Sequence, residues 1–187
     1  KAEMRKGHYQ SIKALIKKYG GNRSFMIHLH ITNPFFNQDQ MNQTYHQIFE
    51  GKKPPFNFIV LPFSDTNSVL NDCFNVTNIV IDASFGESWS LPSFHCVALG
   101  KHAVIHYCHG VKGWANKENS VLFFPRSKAP AVDGVFFLNQ GDFNVGNWYQ
   151  WQEEEFLSAC DQAIERFRKN PINEEGLKLQ QTHTWKH

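Results

Sequence analysis

Glu87 is the first residue whose type and setting suit it for chemistry. It lies in "IVIDASFGESWSLPSFHCVALGKHAVIHY", residues 79–107, which reads as strand, loop, helix, strand, with Glu87 in the loop. Ser88-Trp89-Ser90-Leu91-Pro92 lead into the helix, where backbone N–H groups have no partner inside the helix. Those donors and the helix dipole favour an anion, a phosphate above all. An anion pocket beside a carboxylate suits a ligand that carries both phosphates and hydroxyls, because the amides hold one and Glu87 accepts from the other. In a second reading Glu87 only helps to cap the helix at Pro92, and the residues alone leave both open. His95 follows eight residues after Glu87, inside the helix.

The elements that must position these groups can be read from hydrophobic period. Ile12, Leu15, Ile16 and Tyr19 recur at helical spacing and Gly20-Gly21 ends the run. "SFMIHLHIT" (24–32) and "FNFIVLPF" (56–63) read as strands, with a helical stretch at 41–50 and the turn-rich "GKKPP" between them. "SDTNSVLNDCFNV" (64–76) reads as a helix capped by Ser64 or Asp65, and "NIVIDAS" (78–84) as a buried strand. Pro92–Leu99 is the next helix, stopped by Gly100, and "AVIHY" (103–107) the next strand. Short strands are expected at "SVLFF" and "GVFFL", and a helix over 152–169. This alternation implies right-handed crossovers and an α/β fold: a Rossmann-like, three-layer α/β/α arrangement around a parallel sheet. Residues 1–170 are expected to form one domain, followed by a helix or tail over 171–187.

Composition excludes several classes. A net charge of +2 with 19% charged residues is too weak and too mixed for a general nucleic-acid binder or a polybasic membrane surface. No apolar run is long enough to span a bilayer, and no charged-then-apolar signal segment opens the chain. Four cysteines without a CxxC pair suggest reduced, buried thiols in a cytoplasmic protein. His95, Cys96, His106, Cys108 and His109 have the residue types of a zinc site. The expected helix and strand periods nevertheless bury Cys96 and Cys108, so satisfied core positions are the reading adopted, and no metal is expected. Lys13, Lys17 and Lys18 read as a solvated helix face. Trp114, Trp148 and Trp151 suit core packing better than sugar stacking.

A ligand with phosphates and hydroxyls can be a nucleotide-sugar, and here a resemblance bears on the question. "GESWSLPSFHCVALGKHAVI" resembles the signature of the donor-binding half of retaining GT-B glycosyltransferases of the group 1 type: Glu, seven residues, Glu, then Ala-Met-Ala-x-Gly-x-Pro-Val. "KAEMRKGHYQSIKALIKKYG" is similar to that family's opening stretch in the same half, and "NKENSVLF" and "GNWYQWQEEEFLSACDQAI" to later elements. The resemblance implies the C-terminal half of a GT-B fold, transfer of a hexose-type sugar with retention, and a nucleotide-diphosphate sugar as donor. It implies no cofactor. The acceptor, a glycan or another molecule, is expected to bind an N-terminal domain that is missing from this chain.

The resemblance also implies roles residue by residue. Lys1 and Lys6 match the two basic positions that neutralise the donor diphosphate. Fixed cations there stabilise charge that grows on the leaving phosphate. Glu87 matches the first Glu, which contacts the donor sugar and is the expected catalytic residue. Ser90 and Leu91 match the loop whose backbone meets the phosphate or sugar. His95 stands where relatives carry the second Glu, the ribose ligand, and each ring nitrogen of an imidazole offers only one donor or acceptor. It bonds the ribose in another geometry, packs without touching ligand, or marks changed donor binding. The last reading leads to an alternative: a non-catalytic glycosyltransferase-like binding module.

Overall fold

A computed structural model of the protein describes residues 3–63, 66–134, 137–138, 140–142 and 145–184. After a 3-10 turn at Met4–Lys6 come α1 (His8–Tyr19), β1 (Ile27–Leu29), α2 (Gln38–Ile48), β2 (Phe58–Val60), α3 (Asn67–Val76), β3 (Ile79–Asp82), α4 (Leu91–Ala98) and β4 (His102–His106). A second 3-10 turn at His109–Gly113 leads to β5 (Val121–Phe123), β6 (Ser127–Pro130), β7 (Asn147–Gln150), α5 (Glu153–Lys169), α6 (Glu174–Leu177) and α7 (Leu179–Thr182).

Local sequence explains most of these boundaries. α1 buries Ile12, Ala14, Leu15 and Tyr19 on one stripe and stops at Gly20, before Gly21 in the left-handed region. Asn37 and Gln40 close a reciprocal capping box at the start of α2. α5 opens on Glu153, Glu154 and Glu155 and closes on Arg166, Arg168 and Lys169, so its end charges match the helix dipole. The start of α3 differs from expectation. The side chain that accepts from the Val69 N–H is Thr66, at 3.4 Å, and the helix begins at Asn67; Ser64 and Asp65 lie outside the described residues.

The fold is α/β with parallel strands and helices, as expected, and the ladder around β4 lies between two helical layers. The parallel strands form two ladders, β1-β2 and β3-β4-β5, and β6-β7 is an antiparallel pair. β4 is the central strand of its ladder and buried throughout. Val104 points into a core with α1 and α5, whereas Ala103 and Ile105 point into a second core with Val97, Trp114 and Leu179. That division by alternate residues is the mark of a strand covered on both faces. The segment after Pro171 is docked: Leu179 is buried in the second core and Asn173 donates to the carbonyls of Lys101 and Asn119 at 3.0 and 2.8 Å.

The pair β6-β7 was not legible in advance. Pairing puts Trp148, expected only as core, beside Phe85 and Ala131, and the Tyr149 N–H donates to the Phe85 carbonyl at 2.8 Å. A strand was expected at "GVFFL". Residues 135 and 136 lie outside the described part, and the described remainder, Gly134, Phe137 and Leu138, is not in a strand. No helix among the described residues is long and apolar enough to cross a membrane.

Candidate functional site

The site is built where the turn before α1 meets the loop after β3. Gly7 makes that meeting possible. Its φ of 62° is left-handed, and a Cβ there would lie 2.5 Å from the Ala83 carbonyl oxygen, so only glycine fits without displacing backbone. The Phe85 N–H then donates to the Arg5 carbonyl at 2.7 Å and fixes the two loops side by side. On the far side of Glu87, the Gly110 N–H donates to the Glu87 carbonyl at 3.0 Å. A Cβ at Gly110 would sit 1.3 Å from the Ser88 carbonyl oxygen, so this second approach also needs a glycine. Glu87 is therefore held by backbone contacts with two turns distant in sequence.

The Glu87 carboxylate gathers the charges. Its Oε2 is ion-paired with the Lys6 ammonium and lies 3.1 Å from Arg5 Nη1, and its Oε1 accepts from the Ser88 N–H at 3.2 Å. Arg5 also donates to the Gly86 carbonyl at 2.7 Å and to Glu3 at 2.9 Å. The Glu87 side chain is 11% exposed, whereas Lys6 and Arg5 are 21% and 23% exposed. The cations thus remain open to solvent while the carboxylate between them is largely covered.

α4 begins next to this group. Ser90 precedes it with φ 57° and ψ 62°, and its side chain does not cap the helix; its Oγ pairs with Ser93 Oγ at 3.1 Å instead. Pro92 has no N–H to offer. Ser90 is buried, whereas Leu91 is exposed. His95 is exposed on α4, its ring edge-on to Phe74 of α3 at 6.1 Å and tilted against Phe94 at 5.9 Å. The structure thus brings Lys6 and Glu87 into contact, sets Ser90 and Leu91 at the adjoining helix start, and turns His95 toward α3. Lys1 lies outside the described residues.

Sequence reasoning passed over three neighbours. Arg5 reads as one more charge in a basic stretch, and nothing in the sequence shows that the Gly7 turn aims it at Glu87. His8 opens α1; burial first, then nearby positive charge, lowers its pKa to about 3, and its Nδ1 is enclosed without a partner among the described residues. Asp82 ends β3, buried, with Oδ1 accepting from the Ser84 N–H at 2.9 Å and Oδ2 without a hydrogen-bond partner among the described residues. The one available signal was position, since both stand at strand or helix ends that point to one rim of the sheet.

The possible zinc residues resolve otherwise. His106 donates from Nδ1 to the Ser84 carbonyl at 2.8 Å and stacks on Phe123, and burial lowers its pKa. Burial pushes the thiols of Cys96, Cys108 and Cys160 up to about 12, so they stay protonated and are poor ligands or nucleophiles near neutral pH. Among the described residues no group of three His, Cys, Asp or Glu side chains converges as a metal ion requires. A surface cleft of about 310 Å³ lies between β5 and α5, lined by residues such as Phe124, Glu155 and Gln162, not by the Glu87 corner.

No protein-family model matches the chain, and no curated protein matches it in sequence. In three dimensions it is similar to the C-terminal domain of a glycosyl transferase group 1 family protein, LpcC, from Francisella tularensis. The TM-score is 0.64 and the sequence identity 16%, over 96% of this chain and 80% of that one. The chain has the Rossmann-like fold of a GT-B C-terminal domain. At this identity the likeness concerns the fold, and function must be argued from the site. The Lys6–Glu87 corner lies at the carboxyl end of β3, where doubly wound sheets place their ligands.

Proposed function

We propose that this chain is the donor-binding half of a retaining glycosyltransferase, taking a nucleotide-diphosphate sugar at the Lys6–Glu87 corner. The observation that carries the reading is the convergence of two cations, Lys6 and Arg5, on a carboxylate beside a helix start without a side-chain cap. The diphosphate takes the cations and the amides near Ser90 and Leu91. Lys1, by its match to the family pattern, adds a further cation. Glu87, released from Lys6, accepts from the sugar hydroxyls. As the glycosidic bond breaks, negative charge builds on the leaving phosphate, and fixed cations stabilise it more than the ground state. On this reading no divalent ion is required, because lysine, arginine and the helix start supply the positive potential, and no cofactor takes part. The sugar passes to an acceptor, a glycan or another molecule, held by an N-terminal domain across the cleft, and the enzyme works in the cytoplasm. The 187-residue chain alone binds donor without turning it over.

Calorimetric titration with uridine and guanosine diphosphates tests the reading. Binding in the micromolar to millimolar range by one of them, lost in Lys6→Ala, is the expected result. No binding of either nucleotide, also when an N-terminal domain is supplied, overturns it. A second reading, a non-catalytic binding module of the same fold, rests on His95, exposed on α4 and turned to Phe74 where the family pattern has the ribose ligand. Under it His95→Glu creates nucleotide binding that the natural sequence lacks.

A further inference from the structure

β5 is the last strand of its ladder and pairs with β4 on one side. The Tyr107 N–H donates to the Phe123 carbonyl, and Ile105 stands in register with Leu122, so both backbone groups of Val121 and of Phe123 face β4. The N–H and C=O of Leu122 therefore face the outer side, and among the described residues neither has a hydrogen-bond partner. α5 runs beside this edge in the opposite direction. The cleft of about 310 Å³ lies between Phe124 and Glu154 near the start of α5, and a second, of about 180 Å³, lies between Ser120 and Arg166 near its end. Both are lined by Leu122, Phe124 and Gln162, so they form one groove. From Glu154 to Arg166 the helix rises about 18 Å, the reach of about five extended residues.

The two ends of the groove carry opposite charge. Glu154 stands at the end beside Phe124, where its neighbour Glu155 is taken by Arg126. Lys117 and Arg166 stand at the end beside Ser120. Three carbonyls fix Arg166 there: Nη1 donates to Ser120 at 3.2 Å and to Glu118 at 3.4 Å, and Nη2 to Lys117 at 3.0 Å. These acceptors are neutral, so they position the guanidinium and leave its charge uncompensated. The Glu118 side chain does not line the groove. Among the described residues Glu154, Lys117 and Arg166 have no ion-pair partner. Between the ends lie Leu122 and Phe124, the latter 44% exposed, and Val121–Phe123 contains no Pro, Lys or Arg to blunt the edge.

We infer that this groove binds the carboxyl-terminal end of another polypeptide, extended and antiparallel to β5, with its terminal carboxylate at Arg166 and Lys117 and a basic residue at Glu154. The outward N–H and C=O of Leu122 call for a partner backbone, and an extended chain presents one in register. Leu122 and Phe124 call for apolar side chains at alternate positions of that chain. Charge order sets the direction, because a chain running the other way would bring its carboxylate to Glu154. A terminal carboxylate, unlike an acidic side chain, continues the line of the backbone and so meets the guanidinium that closes the edge at Ser120. The groove lies apart from the Glu87 corner, and the inference stands whether or not that corner binds a nucleotide.

Fluorescence anisotropy with a labelled peptide ending Lys-Val-Thr-Val-Val and a free carboxyl terminus tests it, beside the same peptide amidated. The expected result is saturable binding that amidation weakens at least about tenfold. Arg166→Ala should weaken it as much. Because Arg166 also ties down residues 117–120, Lys117→Glu, at an exposed position, gives the same reading without disturbing those bonds. Glu154→Lys should weaken the peptide and favour its counterpart with Glu in place of Lys. Residue-resolved amide exchange at saturating peptide should slow Leu122 at least about tenfold and leave Phe123, already bonded to β4, unchanged. Absence of saturable binding overturns the inference, as does equal binding of the amidated peptide, unaltered affinity in Lys117→Glu, or unchanged exchange at Leu122. Protection of Leu122 by raised protein concentration alone assigns the groove to a second copy and overturns it too.

Discussion

The two parallel ladders share a core but are finished to different degrees. In β3-β4-β5 the strand β4 is buried at every position between α5 on one face and α4 with α7 on the other. In β1-β2 only one face is closed: Leu29 and Phe58 are buried, whereas Ile59 on the opposite face is 39% exposed, and Met26 beside it 57%. The difference teaches where rigidity is placed. The well-covered ladder carries the loop with Glu87, and the half-covered one carries no residue of the candidate site.

Matched substitutions break or sharpen that comparison most directly. Ile105→Ala, at a fully buried position, should cost about 2–5 kcal/mol in urea unfolding, and Ile59→Ala less than about 1 kcal/mol. Equal losses would show that the open face of β1-β2 is covered in solution. Gly7→Ala tests the joint between the well-covered ladder and α1. A left-handed φ and a 2.5 Å approach to the Ala83 carbonyl should cost about 1–3 kcal/mol and weaken nucleotide binding together. Lys6→Ala should separate the two effects, lowering nucleotide affinity about tenfold or more while Arg5 keeps Glu87 paired, so that thermal melting shifts less than in Gly7→Ala.

Acid should act on the joint as well. His8 is depressed to about 3 in the folded protein, so the unfolded chain binds its proton first. Its contribution is full above the ordinary histidine pKa of about 6.5 and is lost progressively as pH falls toward about 3. His8→Gln should flatten the stability profile across that window, by at most about 1.4 kcal/mol per pH unit. The smallest effect is expected from Lys17→Ala: its partner Glu153 is also solvent-exposed, and urea unfolding should show no resolvable loss of stability.

How much was legible follows from range. α1, α4 and α5 announce themselves through period, glycine stops and charged ends, all set within a few residues. Lys6 and Glu87 were marked by a motif. Arg5, His8 and Asp82 were not, because their roles depend on the close approach that Gly7 permits, between segments some eighty positions apart. Trp148 joined this region only through the antiparallel pairing of β6 with β7.

The sequence by itself determined the alternation of helix and strand, the apolar faces and the chemical types at the rim of the sheet, since these follow from neighbours along the chain. Only the tertiary structure decided that Lys6 and Arg5 share one carboxylate, that His95 turns to Phe74, and that β6 pairs antiparallel with β7. Strand partners and ion-pair geometry are fixed by contacts across long loops, where many pairings satisfy the same local pattern and burial selects among them.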